Sequence, residues 1–221
     1  MGGGAADSRR LRIDNEVDMK NILILLTVMA FCAATAPELR AQDAGRIIEV
    51  SSSIQTLDCS FVQTKYLTAL DGSTESSGRM VYDARSSSLR WEYLTPVRYA
   101  VVLTQDGVSM RTGDGKVTVL PSDNMFRRIS ELMAGMVSGK CFAPGGSFDY
   151  TVTEADGELV AEMIPREREL RRVISGMTMY FDSGSCLLRR LEMKEKGGDV
   201  TVIVLSGVKV NVELAPDSFE L

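Results

Sequence analysis

Histidine is absent from all 221 residues. Without it there is no Ser-His-Asp triad, no Cys-His pair and no His-ligated zinc. A G-x-S-x-G nucleophile turn is missing as well. Cations are not in excess: 25 Lys and Arg stand against 30 Asp and Glu, a formal net charge of -5. A phosphate-backbone partner is held by clustered Lys and Arg, so this balance argues against nucleic acid. Only four cysteines occur, none in C-x-x-C spacing. Long hydrophobic runs are missing apart from Ile22 to Ala36, which is too short for a membrane span. The carboxylates fall mostly at turns and on alternate strand positions, the pattern of a solvated face rather than of general acid/base work. No catalytic residue, metal site or cofactor is expected.

The one apolar run has a targeting context. Met19-Lys20-Asn21 gives it a basic start, and Pro37-Glu38-Leu39-Arg40-Ala41 follows it. Residues 19–41 therefore read as a signal peptide cut after Ala41, with Ala34-Thr35-Ala36 as a competing site. Residues 1–18 are polar, precede a natural start at Met19 and read as a mis-called N-terminal extension. Phe31 before Cys32 does not suit a lipidation site, so a soluble product secreted across the inner membrane is expected. Three cysteines remain, Cys59, Cys141 and Cys186, and they read as small buried hydrophobes.

Residues 42–221 carry the whole net charge, because five cations balance five anions in residues 1–41. This part reads as a single domain. It opens with a helix, since Ile47, Val50, Ile54 and Leu57 share one face at helical spacing, with Glu49 and Ser51-Ser52-Ser53 largely on the other. Strands follow: Cys59–Leu67, Gly78–Tyr82, Leu89–Leu94, Ala100–Leu103, Val108–Arg111 and Lys116–Leu120, with turns at Asp71-Gly72, Asp106-Gly107 and Gly113-Asp114-Gly115. The rhythm changes at Pro121-Ser122-Asp123, which offers cap residues. Met125, Phe126, Ile129, Leu132, Met133 and Met136 then recur at helical spacing, and Gly139 ends the segment. Strands resume over Phe148–Glu154, Leu159–Ile164, Ile174–Phe181, Cys186–Glu195, Val200–Leu205 and Val208–Leu214. Many short antiparallel strands with one or two helices indicate a mainly β protein, a barrel or curled sheet, each strand apolar on one face.

The ordered set Phe61-Val62-Gln63, Gly78-Arg79-Met80-Val81-Tyr82, Leu89-Arg90-Trp91-Glu92-Tyr93 with Pro96, Asp106-Gly107, Asn211, Leu214 and Asp217-Ser218-Phe219 resembles the outer-membrane lipoprotein carrier family, LolA. The resemblance spans nearly the whole domain. It implies an incompletely closed antiparallel barrel, a half-barrel, with an N-terminal helix and a helical lid over an apolar cavity. The implied function is that of a monomeric periplasmic carrier. Its cargo would be acylated lipoproteins, released by an inner-membrane ABC-type complex and passed to the outer membrane, through a dedicated receptor in the bacterial groups that have one. The alternative on the same scaffold is a sensor module for lipid or lipoprotein.

The resemblance also suggests roles for particular residues. The 122–138 segment becomes the lid, presenting Met125, Phe126, Ile129 and Met133 to acyl chains; by periodicity alone it is equally an ordinary helix packed on a sheet. Leu89, Trp91 and Tyr93 share a strand face with Val101 and Leu103 adjacent, and these line either the cavity or a plain core. Arg85, six positions before Trp91, stands where family members carry an arginine that hydrogen-bonds lid carbonyls. Ser86-Ser87-Ser88 follows it where the family often has proline, so the loop departs from the pattern.

Overall fold

The computed structural model describes residues 43–120 and 125–221, and for residues 125–130 the backbone alone. The extension, the targeting segment and its cleavage site lie outside the described residues. The first helix, α1, spans residues 43–53. Six strands follow: β1 (Thr56–Leu67), β2 (Gly72–Asp83), β3 (Ser88–Thr95), β4 (Tyr99–Thr104), β5 (Gly107–Arg111) and β6 (Val117–Leu120). Helix α2 (Met125–Val137) interrupts them. Then come β7 (Phe148–Ala155), β8 (Glu158–Pro165), β9 (Ile174–Asp182), β10 (Leu188–Glu195) and β11 (Val200–Val210).

All eleven strands form one antiparallel sheet in the order β6-β5-β4-β3-β2-β1-β11-β10-β9-β8-β7. Every neighbour is a chain neighbour except β1 and β11, which join the first half of the sheet to the second. β6 and β7 do not pair, so the sheet is not closed. The expected incompletely closed, mainly β architecture is the one observed.

Register places one apolar set on one face. Across β1, β2, β3 and β4, Leu57 pairs Tyr82, Cys59 pairs Met80, Phe61 faces Gly78, and Met80, Trp91 and Val101 lie in line. In the other half Ala161, Met179, Leu191 and Ile203 lie in line. All of these side chains belong to one buried cluster. With a side-chain period of two, each strand's apolar alternation is thereby turned to the same, concave side.

Three details differ from the sequence reading. The helix stops at residue 53, so Leu57 belongs to β1 rather than to the helical face. Ser51, expected on the polar face, is buried. The last two expected strands are one: β11 runs through Ser206-Gly207, where the pairing with β1 shifts register between Asp58/Lys209 and Ser60/Ser206. A bulge absorbs the extra residue without ending the strand.

The convex side is also partly covered. Val81, Ala100 and Val102 are buried yet stand outside the concave cluster. Val81 and Val102 flank Arg90 in register, and Arg90 donates to the Glu220 carbonyl at 2.6 Å. The C-terminal segment thus lies back over this patch. It begins where Asn211 Oδ1 accepts from the Gln55 N–H at 2.7 Å, and its Phe219 is half-buried.

Candidate functional site

Helices α1 and α2 meet at one end of the concave face. Ala44, Ile47 and Ile54 join the buried cluster from α1 and the residue after it, and Met136 and Val137 join it from α2. The two helices touch where Ser51 meets Gly139. A Cβ placed on Gly139 would stand 2.8 Å from the Ser51 Cβ, and Gly139 has φ +71°. Both the close approach and the left-handed backbone favour glycine there. Gly139→Ala is expected to lower stability by more than about 1 kcal/mol, read as a drop in the urea midpoint; an unchanged midpoint would show that the helices separate freely.

Polar contacts tie the helices to the sheet. Arg46 of α1 donates through Nη2 to the Ser183 carbonyl in the β9–β10 turn, and Asp43 stands 3.7 Å from its Nη1. Near the end of α2, the Ser138 hydroxyl donates to the Ala134 carbonyl at 2.9 Å and lies against the Tyr82 phenol.

Along the concave face, described side chains pack on one another. In the β1–β4 half, Phe61 packs on Trp91 with ring centroids 4.4 Å apart and meets Tyr93 edge-on at 5.2 Å. Tyr93 stacks on Tyr99 at 4.4 Å. In the other half, Met163, Met177 and Met193 are direct cross-strand neighbours, giving an unbranched, adaptable wall. Where the helices meet the sheet, Ser51, Ile54, Met136, Phe181, Cys186 and Leu188 are among the residues around a cavity of about 20 Å³, the room of a single water.

Toward the opposite end the same face turns polar. Along β1 the concave positions read Leu57, Cys59, Phe61, Gln63 and Lys65, the last paired with Thr201. Tyr93 donates to Gln63 Oε1 at 2.7 Å. Lys65 Nζ lies 2.8 Å from Glu195 and 3.6 Å from Asp199. The hydrogen bond to Glu195 holds the Lys65 ammonium above its ordinary pKa. Burial pushes the Tyr93 and Tyr99 phenols up.

The residues singled out from the sequence divide as follows. Leu89 lies opposite Leu103, Trp91 opposite Val101, and Tyr93 opposite Tyr99, so all five named strand residues share the concave face. Met133 is half-buried against the same cluster. Met125, Phe126 and Ile129 stand on α2, with side chains outside the described residues. Arg85 is exposed in the β2–β3 turn; its backbone N–H donates to Asp83 Oδ1 at 2.9 Å, and its side chain makes no hydrogen bond among the described residues. Among the described residues, Arg46 reaches from helix to sheet rim. Sequence reasoning missed it, along with Gln63 and the methionine row, because strand pairing and helix docking alone bring them to the site. The three cysteines are free and buried. Burial pushes the Cys59 and Cys141 thiols up to about 12.

Residues 52–221 match the family model described as outer membrane lipoprotein carrier protein LolA. The chain belongs to the LolA family. Similar curated proteins are the outer-membrane lipoprotein carrier proteins of Pseudomonas fluorescens strain Pf0-1 and Pseudomonas syringae pv. syringae strain B728a. The first is 25% identical over 206 residues, covering 91% of this chain and 94% of the relative. The second is 24% identical over 201 residues, covering 90% and 92%. Among solved structures, an uncharacterized conserved protein from Thermus thermophilus superposes with a TM-score of 0.51 at 13% identity, covering 82% of this chain and 93% of that one. That likeness concerns the fold alone. The LolA family match begins at the end of α1 and includes α2, the whole sheet and the C-terminal segment.

Proposed function

We propose that this protein is a periplasmic lipoprotein carrier, taking the acyl chains of lipoproteins released from the inner membrane and giving them up at the outer membrane. The observation that supports the reading best is a continuous apolar concave face, covered at one end by two small helices and not sealed by strand pairing between β6 and β7. In this reading the partners are acylated lipoproteins, the inner-membrane ABC-type complex that releases them and, where one exists, an outer-membrane receptor.

In this reading the helices cover the face when no cargo is bound, and uptake proceeds as a helix yields. Undocking α1 exposes Ile47 and Ile54, at roughly 1.5–3 kcal/mol each, and the smaller Ala44. An acyl chain of about 16 carbons gains roughly 0.8 kcal/mol per methylene buried, about 13 kcal/mol in all. The chain's gain therefore exceeds the cost of moving the helix, whereas a few methylenes would not suffice. The covered state also spares the empty protein an aggregation-prone apolar patch.

The direct test is purification from the periplasm followed by mass spectrometry of what co-purifies. Acylated lipoprotein supports the carrier; persistent recovery with no acylated species at all removes it. A second measurement addresses the moving helix. Arg46→Met removes the charged donor to the Ser183 carbonyl. At this half-exposed site it should raise diphenylhexatriene uptake by the empty protein about fivefold, the equivalent of roughly 1 kcal/mol. Uptake equal to wild type would mean that the contact does not hold α1 closed.

A further inference from the structure

The concave face is graded from one end to the other on β1, β3, β4 and β11, while β8, β9 and β10 keep the row Met163, Met177 and Met193 in register with Thr201. Toward the helices its positions are Leu57, Leu89, Leu103, Phe181 and Leu188. At the far end they become Gln63 and Lys65 on β1, Tyr93 on β3, Tyr99 on β4 and Thr201 on β11. A face serving only as core, or only for hydrocarbon, has no use for a polar end held together by its own hydrogen bonds, since polar groups there cost free energy unless satisfied. Tyr93 gives its proton to Gln63 Oε1, which leaves the Gln63 amide group as an outgoing donor; it makes no hydrogen bond among the described residues. Next to it, Lys65 is already engaged by two carboxylates, Glu195 and Asp199, and Thr201 donates to Glu195 Oε1 at 3.1 Å. One cation against two anions makes this group net negative.

The geometry points to a subsite at Gln63, Tyr93 and Lys65 for the uncharged, ester-bearing end of a diacylglyceryl group, with the hydrocarbon directed toward α1 and α2. The inference rests on the carrier reading and adds an orientation and a headgroup preference. An ester carbonyl accepts from the Gln63 amide and needs no countercharge. A phosphate would approach two carboxylates that already engage Lys65, and like charges repel. The face thereby distinguishes a neutral diacylglyceryl end from an anionic phospholipid end, although both carry the same tails.

The test uses the protein purified from the periplasm, diphenylhexatriene as a probe without polar groups, and two soluble competitors, dioctanoylglycerol and dioctanoyl phosphatidate. Dioctanoylglycerol is expected to displace the probe at least about tenfold more effectively than the phosphatidate. Tyr93→Phe and Gln63→Met retain bulk, and each should weaken dioctanoylglycerol about fivefold more than it weakens the probe, the scale of one lost hydrogen bond. Melting curves for both variants guard against a general loss of fold. Equal competition by the two lipids, or an equal loss for probe and lipid in the variants, overturns the subsite while the carrier reading stands. If the wild-type protein takes up neither probe nor lipid, the carrier reading falls and the subsite with it.

Discussion

Gly78→Ala should leave little folded protein, with a loss of stability above about 4 kcal/mol, in the range reserved for a severe clash in a core. Gly78 lies on β2 opposite Phe61 of β1 and beside Tyr93 of β3. A Cβ there would stand 1.9 Å from the Glu92 carbonyl oxygen and 2.7 Å from the Phe61 ring. The second contact could relax by a tilt of the ring, at the expense of its 4.4 Å packing on Trp91. The first is with backbone in the middle of a sheet, held by hydrogen bonds on both sides, and cannot move alone. Gly197→Ala is the control, because a Cβ there meets nothing within 4 Å; its urea midpoint should stay within the small range of surface changes. A Gly78→Ala protein that melts near wild type would show that β2 and β3 can separate locally, and the account of this packing would be wrong.

Alkaline pH should unfold the protein well before backbone chemistry intervenes. The Cys59 and Cys141 thiols are pushed up to about 12, burial being the main cause in each case. In the unfolded chain such thiols titrate near about 8.5. Above that pH the unfolded state has released protons that the folded state still holds, so stability falls with rising pH. The contribution is fully present below about pH 8.5 and is lost progressively toward 12, at roughly 1.4 kcal/mol for each unit of separation. The buried phenols of Tyr82, Tyr93 and Tyr99 are raised as well and act in the same direction, but at higher pH. Between about pH 8.5 and 10, below the usual tyrosine range, the slope should belong to the thiols. Urea midpoints across that window should fall in wild type and fall less steeply in the Cys59→Ala, Cys141→Ala double variant. Equal slopes would mean that neither thiol is as sheltered as its surroundings indicate.

Both predictions depend on features that occupy different positions with respect to the sequence. Strand alternation around Leu89, Trp91 and Tyr93 was legible because the side-chain period of a strand is local. The helical spacing of Met125 to Met136 was legible for the same reason, as was Gly139 as the end of that helix. The burial of Ser51 was not, since nothing local distinguishes a serine on a polar helix face from one pressed against a glycine 88 positions away. Likewise β11 looked like two strands, because Ser206-Gly207 carries a turn signal that a bulge against β1 overrides. Nor was the reach of Arg46 to the Ser183 carbonyl legible, because it follows from how α1 docks.

The sequence by itself determined a mainly β chain with one apolar face per strand, two helices of limited length, no histidine chemistry and an ordered set of LolA-like motifs. These are matters of composition, local period and turn preference, which act within a few residues along the chain. Only the tertiary structure decided that β1 and β11 join the halves, that two helices cover one end of the concave face, and that Gln63, Lys65 and Tyr93 gather toward the other. Those facts depend on register between strand residues as many as 153 positions apart, and register follows from which faces the whole sheet buries together rather than from any one segment.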